Sequence, residues 1–159
     1  MIIAIDGPAG SGKSTVAKLV DLSNIDESKI RTPEVSRAVS LVAKISEVRA
    51  LAVAKQRAIA RDHNIVMEGR DIGSVVFPEA KLKVYLNASV SERANRRHKE
   101  LLAKGENISF QQIEEDIIRR DEIDQHRANS PLLKLPDAVE IDTTGLSISE
   151  VVEQICALK

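Results

Sequence analysis

The chain has 159 residues, of which 43% are hydrophobic and 30% charged, and its formal net charge is −1. This size and composition predict one soluble domain that is large enough to bury a core. The balanced charge argues against a nucleic-acid partner or an anionic membrane, and the few aromatic rings argue against a stacking platform for single strands. Cys156 is the only cysteine, so no disulfide can form within the chain.

The sequence carries no targeting or membrane signal that we can identify. No apolar run reaches transmembrane length, and the first residues, MIIAIDGP, lack the basic region and cleavage signal of a secretory peptide. We therefore expect a cytoplasmic protein without a membrane partner. Separately, we expect a monomer. His63, His98 and His126 show no metal-site spacing and are interpreted as surface residues.

The first predicted element is a buried strand over the apolar run Ile2–Ile5. The residues that follow, GPAGSGKS from Gly7 to Ser14, match G-x-x-x-x-G-K-[ST], and a helix is predicted from about Lys13. In this context, backbone N–H groups and the positive end of the helix converge on phosphate oxygens. We expect Lys13 to contact the β- and γ-phosphates and Ser14 to bind Mg²⁺; the alternative is a glycine-rich turn with an incidental lysine. The residues expected to bind the nucleotide are Gly7, Pro8, Ala9, Gly10, Ser11, Gly12, Lys13, Ser14 and Thr15.

Such a loop indicates that a nucleoside triphosphate binds, but it does not say what becomes of the γ-phosphate. A GTPase would carry a guanine-reading N-K-x-D, which the chain lacks, and a large motor ATPase would need a longer chain. A small phosphotransferase is left, and a second set of residues must then read its acceptor. Glu68 and Asp142 end predicted strands and are weaker candidates for orienting a hydrated magnesium ion.

The middle of the chain predicts two helices and a strand that ends in charge. One helix begins with Thr32 as its N-cap, the next covers Glu47–Arg61, and the strand is NIVME, residues 64–68. Arg70 and Asp71 follow this strand. In open parallel sheets, ligands bind outside the carboxyl ends of the strands. An arginine there can hold a phosphate with two hydrogen bonds, and an aspartate can accept from the amino group of a base; the alternative is a solvated turn.

The second half of the chain alternates strands and helices. A connection is predicted over Val75–Ala80, and strands are predicted in KLKVYLNA, residues 81–88, and AVEID, residues 138–142. Gly105 is expected to end a helix in a left-handed turn. This alternation predicts a parallel sheet covered on both faces. Three helix starts carry the capping-box pattern: Ser89 with Glu92, Ser109 with Gln112, and Ser147 with Glu150.

Charged residues recur at helical spacing in this half of the chain. From spacing alone, a solvated stripe of salt bridges is favoured, because such stripes need no function and contribute little stability. The alternative is a binding face. The two groups are Arg93, Arg96 and Arg97 on one predicted helix, and Arg120, Asp124 and Arg127 on the next.

Six segments occur in one order along the chain: IAIDGPAGSGKSTVAK, IRTPEVS, EGRDIGSVVFPEA, ERANRR, RDEIDQHRANSPL and IDTTGLS. Together they closely resemble the bacterial cytidylate kinases, a family of nucleoside monophosphate kinases, and the resemblance covers almost every residue present. GRDIGSVVFPEA and RDEIDQHR are far more specific to that family than the loop. The resemblance implies an α/β fold of the P-loop kinase type, with three α/β/α layers and a parallel sheet. It also implies transfer of the γ-phosphate of ATP to CMP or dCMP, with Mg²⁺ as cofactor.

The resemblance further implies roles for single residues. In the acceptor site, Arg49, Arg70 and Arg127 would hold the phosphate, Asp124 would hold the sugar hydroxyls, and Ser40, Arg70 and Asp71 would line the cytosine pocket. The residues implied in catalysis are Lys13 and the arginines of a mobile lid that closes over ATP, namely Arg96, Arg97 and Arg120.

The chain departs from the family between Val20 and Asp21. Cytidylate kinases have several dozen more residues there, with an edge strand, a D-[TS]-G motif that touches the acceptor, and a small insert. We therefore expect a single P-loop kinase domain, residues 1–159, with a lid at about 89–130 but without this acceptor-binding segment. Either the sequence omits residues of a longer protein or a shortened protein is made, and a true deletion predicts nucleotide binding with little CMP phosphorylation.

Two other functions stay open. Another small-molecule kinase, such as an adenylate or shikimate kinase, would share the phosphate-binding loop but not GRDIG or RDEIDQHR. A non-catalytic nucleotide-binding remnant would keep the loop and would have lost the acceptor site.

Overall fold

The computed structural model describes residues 1–20, 38–39, 42–43, 45–61 and 63–158, and of residues 18–20 it describes only the backbone. Three of our expectations lie outside the described residues. They are the helix that begins at Thr32, the place of Ser40 in the cytosine pocket, and the junction at Asp21.

A parallel sheet lies at the centre of the described chain. Its strands, in the order β2-β1-β3-β4, are β1 (Ile2–Asp6), β2 (Ile65–Gly69), β3 (Leu82–Asn87) and β4 (Val139–Asp142). Asp6 pairs with Gly69 on one side of β1, and Asn87 pairs with Asp142 at the far edge. Because every neighbouring pair is parallel, all the carboxyl ends lie at one edge, where ligands bind in folds of this type.

The helices are α1 (Lys13–Val20), α2 (Ser46–Ala60), α3 (Val90–Ala103), α4 (Phe110–His126) and α5 (Ile148–Ala157), with a π-helical turn over Ile72–Val76. Of these, α1 and α5 cover one face of the sheet, and α2 and the π-helical turn cover the other. In the described part of the chain, none of these helices is long and apolar enough to cross a membrane.

Successive strand residues alternate between two cores. Ile5 of β1 packs in one core with Val16 of α1 and Ile155 of α5. Its neighbour Ala4 lies in the core on the other face, with Val53 of α2. Side chains that alternate in this way need cover on both faces. The predicted three-layer α/β/α fold with a parallel sheet is therefore confirmed.

The helices α3 and α4 form a hairpin with a core of its own. Leu101 of α3 packs there with Ile113 and Ile117 of α4. Gly105, just beyond α3, has the predicted left-handed conformation, with φ 79°. The part of the chain expected to form a lid, at about 89–130, therefore has a core that is separate from those on the two faces of the sheet.

The predicted serine caps are present at three helix starts. The hydroxyl oxygens of Ser89, Ser109 and Ser147 each accept a hydrogen bond from the backbone N–H three residues later, at 3.2 to 3.3 Å. Among the described helices, the full capping box, with both of its hydrogen bonds, forms at Ser147, whose N–H donates to Glu150 at 2.8 Å. At Ser89 the expected box is wrong, because the Ser89 N–H donates to the hydroxyl of Thr144 instead.

The connection expected from Val75 is helical at its start. Val75 and Val76 belong to the π-helical turn, and Val76 is 1% exposed. The carboxylate of Asp6 accepts the N–H groups of Ile72 at 2.9 Å and Gly73 at 2.7 Å, which fixes the turn to the end of β1. Burial raises the pKa of Asp6. The predicted connection over Val75–Ala80 therefore lies between β2 and β3, and its first two residues belong to this turn.

Candidate active site

The phosphate-binding loop joins β1 to α1 in a conformation that its glycines allow. Gly7 has φ 152°, and a Cβ there would lie 2.0 Å from the carbonyl oxygen of Leu86, so only glycine fits between the loop and β3. Because α1 begins directly after the loop, its free N–H groups point into the same space. The local geometry is therefore the one that the sequence motif predicts.

Lys13 is a buried cation whose hydrogen-bond partners are neutral. The residue is 4% exposed, and its Nζ donates to the carbonyl oxygen of Pro8 at 2.7 Å and to the hydroxyl of Ser11 at 3.3 Å. Burial lowers the pKa of Lys13 well below its usual value, and the positive charges of Arg70 and Arg120 lower it further. A buried ammonium in these surroundings is costly until an anion binds beside it.

Arg120 is a second cation near the loop, and it is half-buried. In the described part of the chain, its Nε is buried and has no hydrogen-bond partner. Burial lowers the pKa of Arg120 and the charge of Arg70 lowers it further, while Asp124 and Asp121 act in the opposite direction. Arg120, Arg70 and Lys13 therefore form a cationic group beside the loop. Such a group suits an anion with several oxygens, such as a polyphosphate.

A second set of charges lies beyond the end of β2. Arg49 of α2 pairs with Asp71, with its Nε 2.9 Å from Oδ2. The Nε of Arg70 lies 2.9 Å from one carboxylate oxygen of Asp124, and Nη1 of Arg127 lies 4.0 Å from the other. Asp71 is 4% exposed and Asp124 is 3% exposed. The structure thus brings together five of the six residues to which the family resemblance gives a role in the acceptor site.

Burial argues against a solvated stripe on this face of α4. The Arg127 side chain is 7% exposed and that of Asp124 is 5% exposed. Burial lowers the pKa of Arg127, against the opposing effect of Asp71 and Asp124. Charged side chains are rarely buried unless they are paired or functional. The face that carries these residues therefore belongs to a polar site and not to the solvated surface.

Two further arginines predicted for the lid lie on α3. Arg96 donates to the hydroxyl of Thr143 at 3.0 Å and to its carbonyl at 2.6 Å. A Cβ on Gly12 would lie 3.9 Å from Arg96 Nη1, so this side chain borders the loop. Arg97 pairs with Glu100 at 2.8 Å, and both side chains are partly exposed. A partly exposed ion pair is weak, so Arg97 can exchange this partner for a ligand.

Arg93 was expected on a solvated face, and that expectation is wrong. The residue is 4% exposed, its guanidinium donates to the carbonyl oxygens of Ala9 and Ala88, each at 3.0 Å, and it pairs with Asp121 of α4. Asp121 is 8% exposed and was not among the candidates. No sequence signal could have identified this contact, because Ala9 lies 84 residues and Asp121 lies 28 residues from Arg93.

Ser14 and Glu68 bring two oxygens together at the start of α1. The hydroxyl of Ser14 donates to Oε1 of Glu68 at 2.8 Å. Within the described ranges, no group of three or more His, Cys, Asp or Glu residues could hold a metal ion by itself. Mg²⁺ in nucleotide sites usually takes one or two protein oxygens, with phosphate oxygens and water as its other ligands. This pair of oxygens therefore fits a nucleotide-bound magnesium ion.

Comparisons with known sequences point to one family. A family model described as "Cytidylate kinase" matches residues 19–159. The cytidylate kinase of Clostridioides difficile (strain 630) is 42% identical over 207 aligned residues, which cover 98% of this chain and 96% of the relative. That of Carboxydothermus hydrogenoformans is 39% identical over 211 residues, which cover 98% and 95%. Since 98% of 159 residues is about 156, about 50 of the 207 positions have no counterpart in this chain.

Comparisons with solved structures concern the fold. An uncharacterized protein from Eubacterium ventriosum superposes with a TM-score of 0.68 at 15% identity, covering 99% of this chain and 97% of that one. A gluconokinase from Sinorhizobium meliloti gives 0.59 at 18%, covering 98% and 89%. The deoxyadenosine kinase of M. mycoides with bound dATP gives 0.54 at 16%, covering 99% and 98%. At these identities the shared feature is the architecture, since one fold hosts many activities.

Proposed function

The chain belongs to the cytidylate kinase family, and from that premise we propose that it transfers the γ-phosphate of ATP to CMP or dCMP, giving ADP and CDP or dCDP. One observation supports this best, namely the two adjoining sets of buried charge at the carboxyl edge of the sheet. Lys13 lies in the phosphate-binding loop and Arg120 lies near it, while Asp71 and Asp124 belong to the second set. Arg70 belongs to both, because it pairs with Asp124 and influences Lys13.

On the donor side, the loop from Gly7 to Thr15 holds the phosphates of ATP through its backbone N–H groups. Lys13 contacts the β- and γ-phosphates. Arg96, Arg97 and Arg120 complete the site from the lid helices. Among the residues that the structure describes, the buried Nε of Arg120 has no acceptor. This supports the assignment, because an anion would supply the missing acceptor.

On the acceptor side, Arg49, Arg70 and Arg127 hold the phosphate of the nucleoside monophosphate. Asp71 accepts from the amino group of cytosine, and Asp124 holds the sugar hydroxyls. The ion pairs between these residues support the assignment, because they keep each guanidinium and carboxylate oriented in the site. Ser40 is assigned to the cytosine pocket on the family pattern alone.

The proposed mechanism follows from the negative charges of ATP and of the acceptor phosphate. The acceptor is itself a phosphate with a second pKa of about 6, so it is mostly dianionic at neutral pH and needs no strong general base. The main obstacle is the electrostatic repulsion between the acceptor phosphate and the γ-phosphate of ATP, which must lie in line for transfer. Lys13, Arg70 and Arg120 offset that repulsion and stabilise the charge that spreads over the transferring group. Closure of the lid excludes water, which would otherwise act as the acceptor.

Ser14 is the proposed direct ligand of the magnesium ion, with Glu68 as an acceptor for its water ligands. The hydrogen bond between the two side chains supports this pairing. When bound with ATP, the ion neutralises phosphate charge and orients the phosphate oxygens. The role of the chain is to keep both oxygens in place at the start of α1.

We infer that the chain is one kinase domain, 1–159, whose lid is the α3–α4 hairpin at about 89–130. We also infer that the acceptor-binding segment is absent between Val20 and Asp21. About 50 positions of the C. difficile relative have no counterpart here, which supports a missing segment. The family model begins to match at residue 19, next to the proposed junction. We place the protein in the cytoplasm, in pyrimidine nucleotide metabolism, as a monomer that binds small nucleotides and not nucleic acids or membranes.

One experiment separates this function from its alternatives. A coupled assay measures ADP release from ATP with CMP, dCMP, UMP, AMP and shikimate as acceptors. We expect turnover with CMP and dCMP above that with the other acceptors. Turnover with AMP or shikimate instead would identify a different small-molecule kinase, and ATP binding without turnover on any acceptor would identify a nucleotide-binding remnant.

Replacing Asp71 with alanine should weaken the binding of CMP but not that of ATP. Asp71 is assigned to the acceptor base, and leaving a polar base edge unpaired costs roughly 1–3 kcal/mol, which corresponds to a loss of about 5- to 150-fold in affinity. Isothermal titration of each nucleotide measures both effects. Asp116 provides a matched control, because it lies on α4 with a side chain that is 53% exposed. Asp116→Ala should leave both affinities unchanged, and equal losses of CMP and ATP affinity in Asp71→Ala would contradict the assignment.

A further inference from the structure

We propose that Arg93 and Asp121 form a positioning pair that fixes the phosphate-binding loop against the two lid helices. In this role the pair sets where the loop lies relative to Arg97 and Arg120. The inference rests on the proposed function in one respect only, which is that the loop binds ATP.

The pair holds both polar groups of one loop residue. Nη1 of Arg93 donates to the carbonyl oxygen of Ala9 at 3.0 Å and also to Oδ2 of Asp121. The N–H of Ala9 points to the other oxygen of Asp121, at 3.4 Å. Nε of Arg93 donates to the carbonyl oxygen of Ala88, just before α3, at 3.0 Å. The backbone at Ala9 is thus tied to α3 and α4 at once.

Close packing reinforces these hydrogen bonds. Gly10 has φ 76°, and a Cβ there would lie 3.0 Å from Cβ of Arg93 and 3.3 Å from its carbonyl oxygen. The loop backbone therefore rests directly on the first turn of α3. Rigid contact of this kind transmits a displacement of the helix to the loop.

The position of the pair in the sequence links it to two lid cations. Arg97 follows Arg93 by one helical turn on the same side of α3. Arg120 precedes Asp121 directly on α4. Any rotation of either helix about this contact would move Arg97 or Arg120 relative to Lys13. The base of the lid is therefore fixed at this pair, and closing motions take place in the part of the hairpin beyond it.

Stability alone does not account for a pair in this place. Arg93 is 4% exposed and Asp121 is 8% exposed, and the desolvation of two buried charges offsets much or all of their attraction. Apolar side chains of similar size would fill the same space without that penalty. The guanidinium does what such side chains cannot, because it donates to two carbonyl oxygens and a carboxylate in fixed directions.

The test replaces the pair with apolar residues and measures nucleotide binding. In the double variant Arg93→Met/Asp121→Leu, we expect the Kd of ATP to rise at least about 10-fold, while the Kd of CMP stays within about twofold and Tm stays within a few degrees. A fluorescent ATP analogue and its displacement by unlabelled ATP give the first Kd, and isothermal titration gives that of CMP. The matched control is Arg119→Met/Asp116→Leu, which removes an exposed ion pair on α4 and should change neither Kd.

A conservative variant provides the second arm, because the double variant could fail to fold. In Arg93→Lys, the ammonium can keep its pairing with Asp121 but cannot reach both Ala9 and Ala88 in the geometry of the guanidinium. We expect a smaller loss of ATP affinity, about 5-fold, with the fold intact. Unchanged ATP affinity in either folded variant would overturn the proposal, and so would an equal loss of CMP affinity. If the unaltered chain itself did not bind ATP, the proposed function would fail first and this inference with it.

Discussion

Replacing Lys13 with alanine should reduce phosphoryl transfer by a factor of about 1,000 or more while the protein stays folded. The ammonium of Lys13 is buried in the loop and donates to neutral oxygens, and charge interactions are stronger in such a low-dielectric site than in water. Groups that stabilise charge only as it develops in a transition state contribute factors of about 10² to 10⁵. The coupled assay with CMP measures the loss. Near-full turnover in Lys13→Ala would rule out the assigned role of this residue.

The thermal stability of Lys13→Ala tests whether the variant loses activity because it unfolds. A buried cation with a lowered pKa destabilises the protein in which it is charged, so we expect Tm of Lys13→Ala to be equal to or above that of the unaltered chain. Lys55 is the matched control, because it is an exposed lysine on α2. Lys55→Ala should keep both activity and Tm.

The pH dependence of the free energy of unfolding tests whether the pKa of Lys13 is lowered in the folded protein. The pKa of Lys13 is lowered in the folded protein and is about 10.4 in an unfolded chain. Between these two values the unfolded chain binds more protons, so the free energy of unfolding rises with pH in that window. In Lys13→Ala, the free energy of unfolding should therefore rise less with pH in that window. Urea unfolding of both proteins at about pH 7 and about pH 9.5 measures how the free energy of unfolding changes with pH, and the same change in both proteins would contradict a lowered pKa for Lys13.

The sheet and the loop could be predicted because their signals are local. Each strand was found to within one residue at either end, since the apolar runs are short and end in polar residues or glycine. Gly7 and Lys13 belong to a motif in which the spacing itself encodes the chemistry. Serine caps at helix starts are also local, because the hydroxyl bonds a backbone N–H three residues later.

The rest of the site could not be predicted because it depends on distant contacts. Asp6 fixes the π-helical turn from 66 residues away, and the burial of Arg93 depends on the carbonyl oxygen of Ala9. On α4, spacing alone favoured a solvated stripe, whereas Asp124 is buried against Arg70, 54 residues earlier. Helical spacing says which residues share a face but not what covers that face. The family resemblance supplied the roles that spacing could not.

The segment that the relatives have and this chain lacks should have a large effect on CMP phosphorylation. We expect the chain as given to bind ATP but to phosphorylate CMP at least about 100-fold more slowly than a version with the segment restored. The residues proposed to hold the acceptor, on α2, after β2 and on α4, are present, but the sequence lacks the D-[TS]-G motif that the family resemblance leads us to expect. An acceptor phosphate that is held on one side spends little time in line with the γ-phosphate of ATP. A misplacement of about 1 Å already lowers the rate about 100-fold.

The surface of α2 is consistent with a missing neighbour. Val48, Leu51 and Ile59 lie on one side of this helix and are 41%, 60% and 61% exposed. The opposite side, with Val53 and Ala60, is buried against the sheet. A helix that is apolar on both sides usually packs between two elements. We therefore expect the restored segment to cover part of this stripe and to raise Tm by several degrees.

The experiment inserts the additional segment of the C. difficile relative between Val20 and Asp21. The matched control inserts a glycine–serine linker of the same length, which restores chain length but supplies neither the contact to the acceptor nor apolar cover. We expect CMP phosphorylation and Tm to rise with the natural segment and not with the linker, while the affinity for ATP stays the same in all three proteins. If the chain as given already phosphorylates CMP as fast as the restored protein, then Arg49, Arg70, Asp71, Asp124 and Arg127 are sufficient to hold the acceptor. The lid and the loop would then act on an acceptor bound from one side, and the segment would serve stability rather than transfer.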